Sequence, residues 1–196
     1  MIRYSPKKAW KVNAWAVGIV AAAALIPAQL ASAASTPANR FAQVGAVVNC
    51  FGTLGDLEAG AEVYENSSAP NVLTVFVSGP QGTRVTDRNA PEPADGLFTD
   101  GTIQGETPLV QRSEGDEEGS TPAGTAAVEG TYTTAGSPTR IHEAVRDDGF
   151  VITTTGTNTP LRASLNVIVD GLTIPLTCDT AFAFDLSTVK QAIGNG

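Results

Sequence analysis

Two alternating runs, residues 165–169 and 172–176, meet at Asp170-Gly171, and this junction constrains the chain more than any other feature. An Asp-Gly pair suits a type I′ turn, which needs left-handed backbone at both central positions and whose twist matches that of the strands it joins. A second hairpin is expected where 141–146 and 150–155 flank Asp147-Asp148-Gly149, with Gly149 as the left-handed residue of a three-residue loop. Elsewhere the period is also two. Val44, Ala46, Val48 and Cys50 alternate with Gly45, Val47, Asn49 and Phe51; Leu73, Val75 and Val77 share one side of another strand; Val128 and Tyr132 share a face across Gly130.

Composition agrees with the pattern. Beyond residue 33 the chain holds 23 Thr, 19 Gly and 10 Pro. Thr and Val carry a branched Cβ that sits well on a pleated surface, while Gly and Pro mark turns and interrupt helices. The expected fold is all-β, an antiparallel β-sandwich of about seven to nine strands, with a closed antiparallel β-barrel as the runner-up.

Residues 1–33 read as a cleaved signal peptide. Arg3, Lys7, Lys8 and Lys11 form a positive start, 14–26 is an uncharged apolar run, and Ala31-Ser32-Ala33 places small residues where a signal peptidase needs them. Thirteen residues make only about 20 Å of helix, short of the roughly 30 Å hydrocarbon core, so cleavage after Ala33 is expected rather than a retained anchor. Residues 34–40 then read as a flexible segment, 41–186 as a single β domain, and 187–196 as a tail or a short helix with Ser187 as N-cap. Residues 79–101 and 113–124 carry the loop signals, Gly, Pro and clustered acids.

Removing the leader leaves 8 basic groups against 20 acidic ones, a net charge of −12. Nucleic acid is excluded as a partner, because its binding depends on Lys and Arg displacing counterions from phosphates. An anionic membrane surface is disfavoured on the same ground.

Cys50 and Cys178 are the only cysteines, and an exported chain meets an oxidising compartment, so a Cys50–Cys178 bridge is expected. No Cys-x-x-Cys spacing or basic setting points to redox chemistry.

Catalytic signals are thin. His142 is the only histidine and reads as an exposed strand residue, facing away from Ile141 and Val145; no Gly-x-Ser-x-Gly accompanies it. Glu62/Glu65, Asp95/Asp100 and Glu117/Glu118 are formal carboxylate pairs for glycoside hydrolysis, but a chain this acidic always offers some pair. Zinc lacks ligands. Calcium would draw on Asp95 and Asp100, or on Glu114, Asp116, Glu117 and Glu118, yet neither group has the spacing of an EF-hand. No phosphate loop or dinucleotide fingerprint implies a cofactor. Asn66-Ser67-Ser68 is a glycosylation sequon.

The function expected from these residues is that of a secreted, non-enzymatic β module acting through an extracellular or cell-surface partner. The alternatives are a calcium-dependent adhesion module and a small secreted hydrolase using carboxylates or His142.

Overall fold

The computed structural model describes residues 39–93, 96–112 and 121–193. Residues 1–33, expected to be a signal peptide, Asp95 and the acidic run 114–118 lie outside the described residues. Ten strands follow in order: β1 (Asn39–Leu54), β2 (Leu57–Asn66), β3 (Val72–Gly79), β4 (Gly82–Thr86), β5 (Phe98–Thr99), β6 (Thr102–Arg112), β7 (Thr121–Thr134), β8 (Thr139–Asp147), β9 (Phe150–Val169) and β10 (Leu172–Ala192). All pairings are antiparallel, and the all-β class expected from the Thr, Val and Gly content is found.

The sheet runs β10-β1-β2-β3-β4-β6-β7-β9-β8, and β9 also pairs with β10. The path therefore returns on itself through eight strands, leaving β8 on one flank and β5 against β6. Period-two alternation sends one side chain in two to the inside of this ring. Val48, Cys50, Ala61, Val63, Val75, Ile103, Val128, Leu165, Val167 and Ile174 form one buried cluster there. Leu97, carried by the segment before β5, is buried in the same cluster, and its carbonyl accepts from the Gln104 N–H at 3.0 Å. Burying a Val, Leu or Ile side chain contributes about 1.5–3 kcal/mol, so this sealed interior is the main source of stability.

Three hairpins turn on Asp-Gly. Asp100-Gly101, Asp148-Gly149 and Asp170-Gly171 all have positive φ at both residues, as a type I′ turn demands. Asp170-Gly171 joins Val169 to Leu172 as expected. The loop after β8 is shorter than the sequence suggests: Asp147 pairs with Phe150, so Asp147 belongs to the strand and the turn has two residues, not three.

Other departures have local causes. β2 is hidden in the sequence because its inner face uses Ala59, Ala61 and Val63 between Glu58, Gly60 and Glu62, and Ala and Glu are weak strand formers. β4 and β5 interrupt the expected 79–101 loop. Asn39 and Arg40, expected to be flexible, begin β1. Residues 187–192 continue β10 as strand, not helix, because a ladder to β9 and β1 outweighs a local cap at Ser187.

Candidate interaction surface

Strands β9 and β10 are 20 and 21 residues long, about twice what the ring uses. Residues 161–169 of β9 pair with β7, whereas 150–158 pair with β8. On the other side, β2 joins β1 only from Gly45 onward. Beyond that level four strands continue as β8-β9-β10-β1, a single layer that projects past the ring. Among residues 40–44, 139–147, 150–160 and 182–192, only Phe184 is buried.

Register assigns the two faces of this projection. Phe41 pairs with Thr188, which pairs with Thr154, which pairs with Glu143, so these four share a face. The same face carries Ile141, Val145, Phe150, Ile152, Phe182, Phe184 and Leu186, and it continues the outer wall of the ring. Val145 is 57% exposed and Phe41 37%. The opposite face continues the ring interior and is more polar, with Thr153, Thr155, Thr157, Thr159, Asp185, Ser187, Arg140 and Arg146, although Val44, Val151 and Val189 also lie on it.

At the base of the apolar face the packing is tight. The Tyr64 and Phe184 rings stack with centroids 5.9 Å apart, and Phe182 lies 6.5 Å from Phe184. Asn66 donates through Nδ2 to the Tyr64 hydroxyl. Further out, Lys190 Nζ sits 4.1 Å from the centre of the Phe150 ring.

The residues singled out from the sequence disperse over the fold. Cys50 and Cys178 form the expected disulfide, on adjacent strands and directly opposite in register. His142 is exposed on β8 opposite Thr155, on the polar face. Glu62 and Glu65, three residues apart on one strand, point to opposite sides; Glu65 Oε2 accepts from the Phe98 N–H at 3.2 Å. Asp100 serves a β-turn. Among the described residues, no three His, Cys, Asp or Glu side chains gather as metal ligands.

A half-open groove of about 440 Å³ runs between the 87–93 loop and the outer side of β3, β4 and β6, lined by Val72, Thr74, Arg88, Glu92, Glu106 and Arg112. With Asp87 counted, three carboxylates face two guanidinium groups, so no charge dominates it. Asp87, also in its lining, holds the loop: its Oδ1 accepts from the Asn89 N–H at 2.9 Å and its carbonyl from the Ala90 N–H at 3.0 Å. His142 is not among the lining residues.

The apolar residues of the projection do not read as a site in the sequence, because they come from four separate strands and only register brings them to one face. The signal was present: Phe182, Phe184 and Leu186 already alternate, and Thr188 and Lys190 keep the period. Compared with known proteins, the chain matches no family model, no curated protein and no solved structure.

Proposed function

We propose that the protein is exported, loses residues 1–33, and acts outside the cell as a non-enzymatic docking module that works through its projecting sheet. The observation that carries this reading is the single-layer sheet itself, which leaves six large apolar residues unburied on one face beyond the ring, Phe41 and Val145 exposed and Ile141, Phe150, Ile152 and Leu186 part-buried. A sheet with an apolar face is stable in water when another layer covers it, and a contiguous uncovered patch marks an interaction site. The disulfide supports an oxidising location, where such bonds persist. Among the described residues no helix is long and apolar enough to cross a membrane.

Two measurements in the producing cell test the proposal. The material recovered outside the cell should begin at Ala34 and resist thiol alkylation until reduced. A photo-crosslinking residue at Val145 should give a discrete adduct, whereas one at Glu129 on the ring wall should not. Retention inside the cell with Met1 in place, or equal crosslinking from the two positions, sinks it.

A further inference from the structure

We infer that the layer covering the projection is a second copy of this chain, packed apolar face to apolar face about a two-fold axis parallel to the strands. The inference rests on the docking reading above and commits it to one partner.

Shape permits it. The ring closes on the side of the polar face, because that face continues its interior. The apolar face is therefore the outer one, and two copies can meet across it with their rings turned away from each other.

Area permits it as well. The projecting strands lie about 4.8 Å apart, about ten residues long on β8, β9 and β10 and about half that on β1, and present roughly 570 Å². Two such faces bury about 1,100 Å², just short of the roughly 1,200 Å² at which specific, stable pairs begin. The outer wall around Val47 and Tyr64 extends the same face below the projection.

Charge selects the axis. The described charges on this face are Lys190 on β10 and Glu143 and Asp147 on β8, so cation and anions sit on different strands. Rotation about an axis parallel to the strands lays β9 over the partner's β10 and β8 over the partner's β1. Lys190 then comes beside the partner's acidic β8. An axis across the strands would instead set β8 on the partner's β8, acid against acid, which costs association energy.

Sedimentation equilibrium on the purified, oxidised protein through the micromolar range decides the matter. A dimer is expected. Val145→Lys should weaken it by at least about tenfold with an unchanged circular dichroism spectrum, since it puts a charge that association must desolvate into the patch, at the level of the partner's Lys190. Ile152→Thr, conservative for a strand, guards against a folding failure in the first variant and should weaken association in the same direction. Lys190→Glu should also weaken it, and adding Glu143→Lys to that variant should restore it, because the exchange recreates the opposite pairing. A monomer at every concentration, or a dimer indifferent to both apolar substitutions, overturns the inference. The docking reading fails separately: a monomeric chain that still forms a discrete adduct from residue 145 with another protein keeps that reading and loses this one.

Discussion

Cys50 and Cys178 face each other across β1 and β10, and the ladder slips immediately beside them, from Asn49 opposite Thr180 to Cys50 opposite Cys178. Asp179 is the residue left over. The slip lets both Cys178 and Ala181 lie against the buried cluster, which two residues three apart on a regular strand cannot do. The bridge thus sits inside the ring, on the stretch of β1 that pairs with β2, not in the projection.

Replacing both cysteines by alanine should lower stability by about 3–5 kcal/mol, because the bond closes a loop of sequence separation 128 in the unfolded chain. Denaturant unfolding with and without reductant measures it. A loss under about 1 kcal/mol would mean that the β1–β10 ladder alone restrains these strands.

Phe51, Gly60 and Phe76 occupy one row across β1, β2 and β3, and the two rings meet over the glycine with centroids 6.1 Å apart. A Cβ at Gly60 would run into both rings. Gly60→Val should therefore cost about 1–3 kcal/mol, although Val favours strands. Phe51→Ala should cost less in that background than in the natural chain, and a double-mutant cycle on melting data reads the difference.

The sequon asparagine is engaged on all sides. Asn66 is buried, its Oδ1 accepts from the Ser68 N–H at 3.0 Å and the Ser68 hydroxyl at 3.2 Å, and its Nδ2 donates to Tyr64. Asn66→Ala should destabilise by about 1–3 kcal/mol, more than Ser68→Ala, because it strands buried groups. In the folded protein Asn66 should also resist modification by an oligosaccharyltransferase in vitro; mass spectrometry showing a glycan added to native protein would refute this.

At the β9–β10 turn, backbone conformation should outweigh charge. Arg84 Nη1 donates to Asp170 Oδ2 at 2.6 Å, but the Asp170 side chain is 62% exposed, so Arg84→Ala should cost only about 0.2–1 kcal/mol. Gly171 has φ +75°. Gly171→Val forces a branched residue into left-handed backbone and should cost more than about 1 kcal/mol. Equal effects in thermal melts would reverse the ranking.

Asn158, on the apolar face between Thr139 and Phe184, has a buried Oδ1 with no hydrogen-bond partner. Asn158→Val should be neutral or stabilising by up to about 1 kcal/mol, since it removes an unpaired polar atom from a strand. A clear drop in melting temperature would show that the amide is needed.

The legible parts of the fold were those where a short-range rule acts alone. Asp170-Gly171 specified its turn, and the alternation of Val44 to Cys50 marked β1 as a strand, although with both faces covered, whereas Phe51 is exposed. Strands built from small or polar residues were harder: β2 alternates Ala with Glu and Gly, and β10 past Ser187 is held by pairing to β9 and β1 rather than by its own composition. Asp100-Gly101 looked like part of an acidic loop because β5 is only two residues long. The exposed apolar face stayed invisible for a related reason. Its members come from four strands distant in sequence, and only their register shows that Phe41, Leu186, Ile152 and Val145 lie on one side.

The ring closes between its first strand and its last. Cys50 cannot find Cys178, nor can Arg40 find Val189, until nearly the whole polypeptide is available. Contacts of such high sequence separation form slowly, because the entropy of bringing distant segments together is lost before any contact rewards it. A nascent chain of this topology stays open until β10 arrives, and removing residues 185–192 would strip the edge against which residues 39–44 of β1 zip.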